Sequence, residues 1–473
     1  RCAMTKNKRL ALLLGPACFL LCLLLLQQVF SFPARAAVGT LAWMGVWWVT
    51  LPVHTGVTGF IPVLVNSIFC LVSMDSLLAK YANETIFLLI GADLISISWT
   101  VTGLDRRIAL KSLYLIGPSL TQQIVVWFLV STGLSMFLPN MVVCAMLTPI
   151  ALSMLRYVGE DDLYTGKIAP IILVSIAWGA GIGGMGTPLG GAMNLVAIDY
   201  LEELIGQEFM YTSWFVHMAP LLLAIVLADC LCLMLIRPRK TNLQGTREYF
   251  RNLYHELPSP TRDEKVSLCM FIVVMVLCFT RDLYASYLPG LKPAYAFLVC
   301  GILTFVIPKK DGGSLNTWDH ASRELGWGLI YMCGGGMAIG AMLSDTGAIE
   351  GFSGIISNLP LNGGFGTFLA FSAFTVLLSE ISNNTSAAAI SIPIVISICE
   401  GLGLTPLPYL YTVIAAFNCA YMLPTTIRAI PVGLGLAPKY LLKKGALLTA
   451  SSIVVAALVG YLLTCFWPAF SSY

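Results

Sequence analysis

Four short polar islands interrupt an otherwise apolar sequence and hold most of its candidate chemistry. They are Leu138-Pro139-Asn140-Met141, Gly183-Gly184-Met185-Gly186-Thr187-Pro188, Ser382-Asn383-Asn384-Thr385 and Leu423-Pro424-Thr425-Thr426. A helix that stops inside such a segment exposes unpaired N–H and C=O groups. The N–H ends favour anions and the carbonyl ends favour cations. Asn and Thr side chains add neutral donors and acceptors. The combination suits a carboxylate or another oxyanion accompanied by a hard cation such as sodium.

Three charged residues stand in apolar surroundings. Arg428 costs ~2.5–3.5 kcal/mol inside a membrane span on insertion scales, so it needs a partner or a polar cavity. It either replaces one bound sodium or binds a substrate carboxylate through two N–H groups; the alternative is that it reaches to the cytoplasmic surface beside Lys439. Asp93 and Glu380 are candidates for accepting a proton or offsetting Arg428, and Glu380 also suits a structural cap near Asn383.

These residues must be positioned by membrane helices. The 473-residue chain is 58% hydrophobic and only 11% charged, whereas soluble domains carry about a quarter charged residues. Apolar stretches fall at roughly 10–30, 38–54, 57–75, 85–103, 168–200, 213–236, 266–287, 293–307, 326–345, 407–436 and 446–467. The first has a basic flank, but its length of about 20 residues fits a span better than a signal peptide. Two further regions, about 118–155 and 360–400, are too long for one helix and carry polar residues at their middles.

Charge placement orders these spans. With a cytoplasmic N-terminus, the inward loops hold Arg106, Arg107, Lys111, Arg156, Lys167, Arg237, Arg239, Lys240, Lys309, Lys310, Lys439, Lys443 and Lys444, and the outward loops only Arg35, Lys80, Arg281 and Lys292. This obeys the positive-inside rule if each long interrupted region enters and leaves on one side. Both therefore read as re-entrant hairpins, which are tolerated where they line a cavity or lie buried in protein. The expected fold is an all-α polytopic membrane protein with about 11 transmembrane helices plus two re-entrant hairpins. It divides into 1–37 (basic segment and first helix), 38–237, a cytoplasmic linker at 238–265, and 266–473, with seven Lys/Arg from Arg237 to Lys265.

The two halves repeat. Asn140 and Pro149-Ile150 each recur 244 residues later, as Asn384 and Pro393-Ile394; Thr102-Gly103 recurs as Thr346-Gly347, and Gly91 as Gly334 at an offset of 243. By helix count the first hairpin opens from the inside and the second from the outside, which makes the repeat inverted. Carriers built this way bind substrate near the midplane, where broken helices meet.

At these residues the chain resembles the divalent anion/sodium symporter (DASS) family of di- and tricarboxylate carriers, over nearly everything after residue 37. Trp47-Trp48-Val49-Thr50, Glu84 to Gly91 with Gly103 to Leu110, Trp327 to Gly336, and Ser379 to Thr385 carry the likeness. The resemblance implies a homodimer with scaffold and transport domains moving as an elevator. It implies that Asn140, Gly183, Thr187, Asn383, Asn384 and Thr385 bind sodium and part of a dicarboxylate. With the rest of the islands, the expected substrate contacts are Asn140, Thr187, Asn383, Asn384, Thr385, Thr426 and Arg428. The expected sodium contacts are Leu138, Asn140, Gly183, Asn383, Asn384 and Pro424. The chain departs from the family at Pro139-Asn140-Met141, where Ser-Asn-Thr is usual, at the short segment ending in Arg428, and at Asp93.

The expected function is secondary transport of a succinate- or citrate-like anion, coupled to sodium or a counter-anion, in the plasma membrane (the inner membrane if bacterial). An inorganic oxyanion such as sulfate on the same fold is the alternative; a membrane enzyme or a passive channel fits less well. Neither HExxH nor GxSxG occurs, and His54, His217, His255 and His320 lie scattered. Gly179-Ala-Gly181-Ile-Gly183-Gly184 matches GxGxxG but lacks the strand and acidic residue of a dinucleotide site. A formal charge of +3 leaves no basic excess for nucleic acid. Fourteen cysteines lack metal or disulfide spacing, Cys230-x-Cys232 included. No cofactor is expected beyond sodium as a coupling ion.

Overall fold

The computed structural model describes residues 6–113, 116–238, 242–348, 361–424 and 426–472. The described residues form helices without a strand; two isolated β-bridges join Ser119 to Asn242 and Pro308 to Ser314. Among the described residues, eight helices are long and apolar enough to cross a membrane, and five shorter apolar helices accompany them. The chain is thus an all-α polytopic membrane protein.

Local sequence sets the helix ends. Asn83 caps Glu84–Thr102 by accepting from Ile86 N at 3.0 Å. Gly103 ends that helix at φ +78°, a left-handed conformation that favours glycine. Thr261 and Glu264 form a reciprocal capping box at the start of Arg262–Phe279. Glu264 also receives the Arg107 guanidinium at 2.6 and 3.1 Å, which ties the linker's end to Leu104–Leu113.

Both interrupted regions are helical hairpins. The first pairs Leu120–Ser135 with Asn140–Tyr157, and the second pairs Phe365–Ile381 with Asn384–Gly401. The second arms match closely. Each has 18 residues, starts on an Asn and carries a proline at its tenth position, Pro149 or Pro393.

The broken helices match less well. Ala169–Gly183 passes through short 3-10 turns at Gly184–Gly186 and Pro188–Gly190 and resumes as Ala192–Ile205. Its partner Leu407–Phe417 ends at Asn418, earlier than the expected Leu423 to Thr426. Between it and Pro438–Phe466 the described residues form only a 3-10 turn at Thr426–Arg428 and the short helix Ala429–Gly433. The expected span at 407–436 is therefore a helix and an irregular loop; the helix stops seven residues before Pro424, and Ser379 Oγ donates to the carbonyl of its last residue, Phe417, at 2.7 Å. Thr425 and the Thr426 side chain lie outside the described residues. The expected span at 57–75 likewise divides into Thr55–Thr58, Ile61–Phe69 and the start of Met74–Ala79.

Glycines set the closest approaches. A Cβ on Gly336 would stand 2.8 Å from the Ala389 Cβ, and one on Gly340 would meet the Tyr200 hydroxyl. The helix Trp327–Asp345 thus offers a nearly bare face to both the second hairpin and Ala192–Ile205.

Candidate functional site

The first hairpin inserts its tip into the first helix break. Ser135 Oγ donates to Ala180 O at 2.6 Å, and the Thr187 hydroxyl donates to Met136 O. Asn140 is buried between glycines: a Cβ on Gly184 would lie 2.9 Å from its Nδ2, and one on Gly191 3.5 Å from its Oδ1. The break itself is drawn together by Asn194, whose Nδ2 donates to Gly184 O at 2.6 Å and Thr187 O at 2.9 Å. Gly183 takes the first arm at backbone distance, since a Cβ there would stand 2.1 Å from Thr132 O. Leu138 is buried at the turn. Asn140, Gly183, Thr187 and Leu138 therefore form one cluster.

The second hairpin meets the second break in the same manner. Ser379 Oγ bridges the two, 3.0 Å from Asn384 Oδ1 and 2.7 Å from Phe417 O. Asn383 turns back onto its own helix, accepting from Ser386 N at 2.9 Å and donating to Ser386 Oγ at 2.8 Å. Its amide thus serves first as a helix cap. Thr385 is buried beside it, whereas Pro424 is exposed.

Beyond Asn418 the loop is held by charge. The Glu380 carboxylate accepts from Tyr421 N at 2.5 Å, Met422 N at 2.9 Å, Leu423 N at 3.2 Å and Thr449 Oγ1 at 2.8 Å. Arg428 donates from Nε to Leu423 O and from Nη1 to Ala420 O, each at 2.7 Å. It is buried at 2% exposure and does not reach the surface. Its two carbonyl partners are of the kind that bind a hard cation.

The two clusters join at the centre. Trp178 Nε1 donates to Tyr421 O at 3.1 Å, and a Cβ on Gly181 would be 3.7 Å from Asn418 O. Asn194 Oδ1 and Asn418 Oδ1, one in each cluster, are buried without a hydrogen-bond partner among the described residues. Such oxygens are suited to a cation or a donor from a ligand.

Asp93 does not belong here. It accepts from Gly326 N at 3.4 Å, at the start of Trp327–Asp345, whereas Glu380, on Phe365–Ile381, binds the loop that Arg428 also holds. Sequence reasoning missed Asn194, Asn418 and Ser379, whose roles depend on contacts across the fold. It also missed Asp229, a lone carboxyl in the apolar helix Tyr211–Ile236 that the intramembrane cost rule flags.

Comparison with known proteins gives a consistent result. A family model described as a citrate transporter, CitMHS, matches residues 45–416 and 291–472. The sodium-dependent dicarboxylate transporter SdcS of Staphylococcus saprophyticus is 26% identical over 481 residues, covering 96% of this chain and 90% of that one. SdcS of Staphylococcus aureus is 26% identical over 471 residues with the same coverage. Among solved structures, the Alcanivorax borkumensis YdaH transporter, described as having an unusual topology, matches with a TM-score of 0.51 at 11% identity, over 92% of this chain and 99% of that one. The likeness to YdaH concerns the fold alone.

Proposed function

The chain belongs to the citrate transporter family and is a DASS-type carrier, and from that membership we propose that it moves a di- or tricarboxylate across the membrane by alternating access. The observation that carries this reading is the pair of hairpin tips, each seated against a broken helix with a buried Asn at the contact, Asn140 and Asn384. Helix ends and Asn amides supply neutral hydrogen bonds for carboxylate oxygens, while Thr187, whose hydroxyl proton goes to Met136 O, fixes the hairpin tip against the break. The orphaned Asn194 and Asn418 oxygens, with loop carbonyls, suit sodium.

In this reading the scaffold and transport domains of each subunit of a homodimer slide past one another, with the bare glycine face of Trp327–Asp345 at their contact. The hairpins and broken helices move with the substrate. Arg428 acts as a fixed cation at the second break, where it fills two carbonyls that a coupling sodium would otherwise take. One sodium fewer is then needed at that cluster. The N-terminus lies on the cytoplasmic side, following the charge bias of the loops.

Uptake of labelled succinate and citrate into proteoliposomes tests the reading, with and without an inward sodium gradient and with or without internal dicarboxylate. Sodium-driven uptake into empty vesicles supports symport. Uptake only into anion-loaded vesicles makes the carrier an exchanger. Absence of both, with sulfate transported instead, overturns the carboxylate assignment.

A further inference from the structure

Asp229 is fully buried within the apolar helix Tyr211–Ile236, seven residues before its end, and the site described above does not use it. Its Oδ2 accepts from the Tyr421 hydroxyl at 2.7 Å, and its Oδ1 lies 3.4 Å from Ser452 Oγ. The two hydroxyls are themselves 2.8 Å apart. Among the described residues Asp229 makes no salt bridge.

Tyr421 connects this carboxyl to the second break. Its backbone N–H donates to Glu380 at 2.5 Å while its hydroxyl donates to Asp229 at 2.7 Å. The helix Pro438–Phe466 repeats the arrangement one turn apart, offering Thr449 to Glu380 and Ser452 to Asp229. Two carboxyls thus flank one residue of the loop, and a single guanidinium, Arg428, lies on that loop. Charge is unbalanced unless one carboxyl is neutral. An ionised group at this depth with only two hydroxyl donors is costly. A hard metal cation needs oxygens at about 2.3–2.6 Å around it, and hydroxyls already in direct contact with the carboxyl leave no gap for one.

We propose that Asp229 is a proton-binding site of the carrier, loaded together with the carboxylate substrate and discharged on the opposite side of the membrane. On the loading side the carboxylate takes a proton from hydronium and leaves water; on the release side the reverse occurs. The inference rests on the carboxylate-carrier reading for its role in transport, but not for the binding of the proton.

The surroundings contain little else that titrates. Cys230 and Cys232 share the helix, and His217 lies about three turns away on it. The loop contributes Cys419 and Tyr421, with Glu380 and Arg428 beyond. Pro438–Phe466 has no charged residue after Lys444, and Ala169–Gly183, Gly184–Gly186, Leu407–Phe417 and Leu120–Ser135 carry none. Arg262–Phe279 has charges only in its first turn and Cys269 and Cys278 beyond.

Two measurements decide the matter. Infrared difference spectra of the purified protein in nanodiscs, taken across a pH titration, are expected to show a buried carboxylic-acid band that Asp229→Asn removes and Tyr421→Phe displaces. This arm needs no substrate, and the Tyr421 variant serves if the Asn variant does not fold. In proteoliposomes with an entrapped pH dye, wild-type citrate uptake is expected to fall as external pH rises from about 6 to about 8, by no more than about tenfold per pH unit, the limit that one titrating carboxyl sets. Asp229→Asn should flatten that profile and abolish acidification of the lumen. A band unchanged in both variants, or an unaltered pH profile in Asp229→Asn, overturns the proposal. If the wild type transports no carboxylate, the proposed function fails, and the infrared band alone then decides whether Asp229 binds a proton.

Discussion

Glu380 and Arg428 grip the same backbone with opposite polarity, and both hold Leu423: its N–H donates to Glu380 at 3.2 Å, and its carbonyl accepts from Arg428 at 2.7 Å. The carboxylate takes the loop's donors, and the guanidinium takes its acceptors. Neither side chain is replaceable by a neutral one without leaving buried peptide groups poorly satisfied. Hydrogen bonds to charged groups contribute about 1.5–3 kcal/mol each. Glu380→Gln and Arg428→Gln should each lower stability by about 2–3 kcal/mol, and the double variant by less than their sum. Thermal or denaturant unfolding in detergent reads this; strict additivity would mean that the two side chains act independently.

Arg428→Gln should also alter ion coupling. With the fixed cation removed, transport is expected to acquire a steeper dependence on sodium, measured as a higher Hill coefficient for sodium-driven uptake. An unchanged sodium dependence would remove Arg428 from the coupling scheme.

Asn140→Ala and Asn384→Ala should raise the KM for carboxylate roughly tenfold, since loss of one directional hydrogen bond to a charged group is worth about 1.5 kcal/mol or more. Their unfolding temperatures should change little beside that of Asn194→Ala, which deletes the bonds to Gly184 O and Thr187 O. Comparing KM with stability across the three separates substrate contacts from scaffolding.

Glycine substitutions give a matched pair. At Gly183 and Gly190 a Cβ would stand 2.1 Å from a backbone oxygen, that of Thr132 and of Gly184 respectively. Alanine at either should destabilise by about 1–3 kcal/mol or more through overpacking. Gly133 has nothing within 4 Å of such a Cβ and lies inside a helix. Gly133→Ala should be neutral or stabilising by up to about 1 kcal/mol, as read by thermal shift.

A further test concerns the opposite end of the fold. Arg281, 2% exposed, pairs with Glu208 at 3.1 Å through both Nε and Nη2, and donates to Leu288 O and Pro289 O at 2.9 and 2.8 Å. Glu208 keeps the guanidinium protonated even more firmly than usual, mainly by hydrogen bonding. Lysine cannot reproduce this planar fork. Arg281→Lys should therefore cost about 2 kcal/mol despite keeping the charge, visible as a lowered unfolding temperature.

Several of these features were legible in the sequence. Length, polar middles and the charge bias of the flanking loops point to both hairpins, and the recurrence of Asn140 as Asn384 at one offset, with proline nine residues on, relates one to the other. The insertion cost of arginine marked Arg428. The second break was less legible: Pro424 draws attention, yet the helix stops at Phe417 because the Ser379 hydroxyl and its neighbours satisfy the freed backbone there. Glu380 is 41 residues from Tyr421 in sequence, and no local pattern links a carboxylate to N–H groups so distant. Asp229 was readable by the same cost argument as Arg428 but sits alone in a leucine-rich run. Asn194 and Asn418 resemble ordinary helix residues until the partners of their amide groups are traced.

The buried charges that Glu380 and Arg428 contribute to the second break are equal and opposite. If that break travels with the substrate, and Asp229 travels as the neutral acid, the moving part of the protein carries no net charge of its own there. On the loaded leg membrane voltage then acts on the cargo alone, and on the empty return leg it acts on the discharged Asp229 carboxylate. Each uncompensated charge on the substrate and its co-ions meets about 2.3 kcal/mol per 100 mV, and on the loaded leg the carrier neither adds to that work nor offsets it. A current recorded during transport would accordingly count the charges of the transported ions directly.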